Sequence, residues 1–75
     1  MKPGKFRLRK TTDVHQEHPI YEIVDEHRNV LLDVTKNDAG IYEACLIDNH
    51  GEGRVVELTV LLDLIQEARQ RIDED

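Results

Sequence analysis

With a single cysteine, Cys45, the chain has no means of forming an internal disulfide, and a reducing compartment, the cytoplasm, is the expected location. Tryptophan is absent, and one Phe and two Tyr make up the whole aromatic content, which leaves no stacking platform of the kind single-strand nucleic-acid binders use. No stretch approaches the ~20 apolar residues that a membrane-spanning helix needs. The first ten residues are charged rather than apolar, so no signal peptide is expected either. There is no internal repeat and no low-complexity tract. A chain of 75 residues has room for one core. At that size only about 60% of the unfolded surface is buried, so a partner that covers more of it would add useful stability.

What is present in abundance is charge. Sixteen acids against ten Lys and Arg give a net charge of -6, but the two signs are unevenly placed. Lys2, Lys5, Arg7, Arg9 and Lys10 put +5 on the first ten residues with no acid among them; subtracting this from -6 leaves -11 on the remainder. A basic arm on an acidic body can reach for an anionic partner, although short charged termini are commonly just solvated. The acidic body argues against a nucleic-acid-binding face.

Hydrophobic periodicity divides the chain into a few elements. Residues 1–18 contain Pro3 and Gly4 and a polar mixture with only Phe6, Leu8 and Val14 to bury, and are expected to form a loosely ordered arm, with a short edge strand at 6 to 9 as an option. Residues 19–75 read as one α+β domain. Ile20–Val24 has strong strand preference and ends in the polar turn 25–29. Val30, Leu32 and Val34 alternate with Leu31, Asp33 and Thr35, the pattern of a half-buried strand. After the turn 36–40 a third strand is expected over Ile41–Ile47, and Arg54–Glu57 is read as a fourth, following the turn 48–53. Leu58, Leu61, Ile65, Ala68 and Ile72 recur at steps of three and four, so the spacing predicts an amphipathic helix, with Thr59 able to cap its start and Glu67–Arg71 spaced for an ion pair. The expected fold is a three- or four-stranded antiparallel meander with this C-terminal helix on one sheet face. Leu58, Leu61, Ile65 and Ala68 are expected to dock on Val30, Leu32, Val34, Tyr42, Ala44 and Leu46.

Several local patterns invite a chemical reading. Asp38, Gly40 and Tyr42 resemble the D-x-G-x-Y-x-C pattern near the second cysteine of immunoglobulin domains. Ala44 stands where that family has its cysteine, Cys45 falls one residue late, and the first cysteine and core tryptophan are missing, so membership is not inferred. His15 and His18, with Asp13 and Glu17 nearby, and the separate His27 and His50, lack the spacing of a structural zinc site and read as exposed loop histidines. Cys45 and His50 suggest a thiol and its base, but Glu43, Asp48 and Glu52 oppose thiolate formation, and Cys45 reads as a packing residue. Gly51-Glu52-Gly53 is a turn rather than a phosphate cradle: no lysine follows it and its acid repels phosphate. Asp48 and Glu52 do not complete a calcium loop.

No catalytic constellation, cofactor, metal site or small-molecule substrate follows from these residues, and a non-enzymatic role is expected. The apolar residues in excess of a single helix–sheet interface, Ile41, Cys45 and Ile47 on the third strand and Val60, Leu62 and Leu64 on the helix, form the candidate interface. The functional expectation is a small protein-interaction or self-assembling module, either a homodimer or a binder of another protein. The alternative is an acidic inhibitor or nucleic-acid mimic that occupies a basic target surface.

Overall fold

The computed structural model describes residues 4–12, 17–47, 51 and 53–74. Four strands, β1 (Phe6–Thr11), β2 (Ile20–Asp25), β3 (Val30–Lys36) and β4 (Tyr42–Leu46), form one antiparallel sheet in chain order, and the helix α1 (Leu58–Glu74) packs across one face of it. This is the α+β meander that alternation followed by helical spacing implies. Three of the strands match the expected ones to within a residue or two. The other does not: Arg54–Glu57 is not a strand, and the sheet is completed from the amino-terminal side by β1. The short edge strand left as an option at 6 to 9 is present and extends to Thr11, inside the stretch expected to be a loosely ordered arm.

The two hairpin turns between β2 and β4 share one construction. In the first, the Asp25 carboxylate accepts the backbone N–H groups of His27 at 2.8 Å and Asn29 at 2.9 Å, and Arg28 adopts a positive φ of 68°. In the second, the Asn37 side-chain oxygen accepts the N–H groups of Ala39 and Ile41 at 2.9 and 3.0 Å, and Gly40 takes the left-handed position with φ of 80°. A short acceptor side chain two and four residues before the donors it binds, with a left-handed residue between, closes a tight reversal without leaving turn amides unpaired.

Register decides what is buried. Leu8, Ile23, Leu32 and Leu46 lie abreast, as do Lys10, Tyr21, Val34 and Ala44, so these residues share the helix-side face. Tyr21, Ile23, Leu32 and Val34 are buried there against Ala68 and Ile72, with Phe6, Leu8, Leu31, Tyr42, Leu61, Leu64 and Ile65 around them. A bulge between Ile23 and Val24 leaves Leu31 without a partner on β2 and sets Val30 opposite Val24, on the face away from Leu32. Val30 thus drops out of the expected docking set. Val24 is buried apart from the helix-side cluster.

The helix begins at a glutamate cap. Glu57 Oε2 accepts the Val60 N–H at 2.8 Å while the Glu57 carbonyl accepts the Leu61 N–H at 3.0 Å, so Glu57 holds the position expected for Thr59, which lies inside the first turn. Farther along, Arg71 donates to Glu67 at 2.6 Å, the ion pair that the spacing implies. At the amino-terminal end the segment before the helix is tied to the start of β1 by Gly4 N–H donating to the Val55 carbonyl at 3.1 Å, and Arg54 donates to the Val30 carbonyl at 2.7 Å. At the other end, Asp73 meets β3 and β4, accepting from Lys36 at 3.3 Å and from the Tyr42 hydroxyl. The helix therefore crosses the sheet diagonally, from β1 at its start to β4 at its end.

Candidate interaction surface

The diagonal path leaves part of the helix-side face bare. The helix contacts β1, β2 and β3, and it reaches β4 mainly through the cluster at Tyr42, where Arg69 lies 4.8 Å and Lys36 5.2 Å from the ring centre. At the opposite end of β4, Leu46 is 77% exposed although it lies abreast of buried Leu32. A helix turns 100° per residue, so Leu58, Leu62, Arg69 and Asp73 fall on one flank, the flank facing β4. Leu58 and Leu62 are 65% and 53% exposed. Leu58 and Leu62 on this flank and Ala44 and Leu46 on β4 are therefore exposed apolar positions that the diagonal helix leaves uncovered, and they define the open side, or wedge, of the helix-side face.

This wedge corrects the expected docking set. Leu58, Ala44 and Leu46, expected in the core, are exposed; Ile72, Tyr21 and Ile23 take their place. The physical reason is β1. A strand added beside β2 moves the middle of the sheet away from β4, and a helix about 10 to 12 Å wide that centres itself on the sheet then leaves the β4 side uncovered.

The six candidate interface residues do not form one patch. Cys45 pairs with Asp33 on the far face, away from the helix, and is exposed; Ile41 and Ile47 flank β4 at its two ends and are also exposed. On the helix, Leu62 faces the β4 side, whereas Val60 and Leu64 lie on the other flank, toward β1, and Leu64 is half-buried against the core. Leu46 and Leu58 complete the exposed set that sequence periodicity assigned to the interior.

The far face carries a charged row among apolar residues such as Ile20 and Val24. Arg9 and Glu22, adjacent across β1 and β2, make an ion pair at 2.9 Å, and Asp33 lies next in the same row, followed by Cys45. Burial pushes the Asp33 carboxyl above its ordinary pKa, Glu22 pushes it the same way, and Arg9 partly offsets both. Its Oδ1 is buried with no hydrogen-bond partner among the described residues. A recess of about 250 Å³ lies beside it, lined by Ile20, Asp33, Thr35, Glu43, Ala44 and Cys45. None of these lining residues is basic. Among the described residues no group of three His, Cys, Asp or Glu side chains is arranged to hold a metal ion. His27 is exposed in the first turn, while His15 and His50, and with His50 the considered Cys45–His50 pair, lie outside the described residues.

No helix among the described residues is long and apolar enough to cross a membrane. No protein-family model matches the chain, and no curated protein and no solved structure matches it.

Proposed function

We propose that this chain is a small non-catalytic interaction module of the cytoplasm, whose working surface is the open wedge between β4 and the amino-terminal half of the helix. The observation that carries this reading is the exposure of Leu46 on β4 and of Leu58 and Leu62 on the helix flank turned toward it, large apolar side chains on a domain too small to spare them. Scattered exposed leucines need no explanation, but a row of them beside an edge strand is a surface that gains free energy when covered.

The test is affinity capture with the wild type and with the Leu46→Glu/Leu58→Glu/Leu62→Glu triple variant, each first shown to melt cooperatively. Expected is a bound protein, either a second copy or a different chain, that the variant loses. An identical capture profile from both proteins overturns the reading. Capture of a basic protein that is released by salt and indifferent to the leucines favours the acidic inhibitor instead.

A further inference from the structure

Strand β4 is at the edge of the sheet, and the direction of its backbone groups is set by its pairing with β3. Ile47 N–H donates to the Leu31 carbonyl at 3.2 Å and Asn37 N–H to the Ile41 carbonyl at 2.9 Å. In an antiparallel ladder the hydrogen-bonded pairs alternate, so with the observed register the odd positions from 41 to 47 turn toward β3 and Tyr42, Ala44 and Leu46 aim their N–H and C=O groups at the open edge. Among the described residues no strand pairs there. The opposite edge, β1, carries Arg7, Arg9 and Lys10, the charges that ordinarily deter strand addition, whereas β4 carries only Glu43.

We infer that β4 pairs antiparallel with β4 of a second copy of this chain, about a two-fold axis through Ala44. This rests on the interaction-module reading and makes it specific. The sequence is self-complementary in this register: Ala44 faces Ala44, Tyr42 faces Leu46, and Glu43 faces Cys45, so every residue of the strand is paired and no like charges meet. A shift toward Glu43 sets two glutamates opposite one another and shortens the ladder. A shift toward Cys45 shortens it equally and sets two cysteines opposite one another. In the Ala44-centred arrangement two sheets become one, both helices lie on the same face, and each exposed Leu46 rests against the partner's Tyr42, whose other surroundings are Arg69 and Lys36. A five-residue edge belongs with interfaces below about 1,200 Å², so the dimer forms and dissociates with concentration. Each copy carries -6, and salt that screens this repulsion strengthens the pair.

The register supplies its own test. Glu43 and Cys45 face each other at a non-hydrogen-bonded site, where Cα atoms stand about 4.5 Å apart, within disulfide range, whereas the two Cys45 residues are offset along the strands. Under mild oxidation the Glu43→Cys variant is expected to become a covalent dimer at its natural Cys45, and the wild type is not. Sedimentation equilibrium of the reduced wild type is expected to rise from the 8.7 kDa monomer toward twice that mass across the micromolar range, more so in high salt. Leu46→Lys should hold it at the monomer mass. A wild-type disulfide dimer overturns the Ala44 register, and a mass that weakens with salt or grows beyond two copies overturns the symmetric edge. A strict monomer with no Glu43→Cys cross-link overturns the pairing altogether. Capture lost through Leu46, Leu58 and Leu62 in that last case leaves the broader interaction reading standing with a different partner.

Discussion

Two isoleucine-sized side chains in one row of the sheet have opposite fates, and replacing each by alanine measures how the helix is placed. Ile23 lies on β2 beneath the helix and is fully buried, while Leu46, in the same row two strands away, is largely exposed. Ile23→Ala deletes three carbons; at about 0.8 kcal/mol per buried methylene the transfer loss is about 2.4 kcal/mol. Ile23 is flanked by Leu8 and Leu32 and roofed by the helix, so the site collapses poorly and a cavity term raises the total to about 3 to 4 kcal/mol. The whole stability of a chain this long is roughly 4 to 11 kcal/mol, so the variant sits near the edge of folding at room temperature. Leu46→Ala removes atoms that are already wet and should change monomer stability by less than about 0.5 kcal/mol. Urea denaturation at one low protein concentration, with the slope of each transition compared, separates the two without a contribution from association. A loss above about 1 kcal/mol for Leu46→Ala, or below that for Ile23→Ala, would show that the helix covers β4 rather than β1–β3.

Deletion of residues 1–10 should abolish the cooperative thermal melt or lower it steeply, because Phe6 and Leu8 pack on the core and β1 is paired along its whole length with β2; an unchanged melt by circular dichroism would return residues 6–11 to the status of a dispensable arm. Arg28→Gly should stabilise the fold by about 0.5 kcal/mol, since relief of a left-handed backbone worth about 1 to 2 kcal/mol outweighs the entropy glycine loses on folding. Gly40→Ala in the matching turn should destabilise by about 1 kcal/mol, and because an added Cβ meets nothing closer than Lys36 at 3.9 Å the penalty is conformational; effects of opposite sign in urea melts check the pair, and no change in either would show that the turns relax freely. Asp73 is held below its ordinary pKa of 3.8 first by the Tyr42 hydroxyl and then by Lys36 and Arg69, so its contribution is present above that pH and lost as the pH falls through the depressed value. Tyr42→Phe should flatten the stability curve below that pH, which thermal melts in a pH series would show; an acid limb identical to that of the wild type would contradict the assignment.

The strands from Ile20 onward and the helix were legible because each rests on local pattern. Val30–Lys36 alternates, the turns carry Asp25, Asn37 and Gly40, and the helix repeats its apolar residues at steps of three and four. Strand β1 was legible only as an option at 6 to 9, for a physical reason. Its apolar content is only Phe6 and Leu8, and its stability comes from a ladder to β2 together with the Arg9–Glu22 pair, contacts between residues 9 to 19 positions apart. Arg54–Glu57 failed in the converse way. Its valines have strand preference, but its backbone is used by Gly4 and its arginine by the Val30 carbonyl, so it serves as a strap from sheet to helix.

That strand, left as an option and not counted in the expected sheet, accounts for the misplaced interaction surface. Periodicity correctly finds that the helix has one apolar face and that β3 and β4 each have another, but it does not say which flank of the helix overhangs which strand. That offset follows from sheet width. With β4 central or next to central, Leu46 and Leu58 would be roofed and the surplus apolar residues would be those of the far face and the remaining helix flank. With β1 in place the helix centres over β2 and β3, Tyr42 becomes the last point it touches, and Leu46, Leu58 and Leu62 change from core to border. The same shift turns Tyr42, Ala44 and Leu46 into the exposed backbone edge, so the strand least covered by the helix is also the one free to pair. A domain whose helix sat over β3 and β4 would have its vacant edge at β2, next to the basic arm. Here the basic strand closes that edge with Arg7, Arg9 and Lys10, and the apolar, nearly uncharged strand is left open. Coverage of the sheet by the helix and the distribution of charge between the two edges thus point to the same side of the molecule.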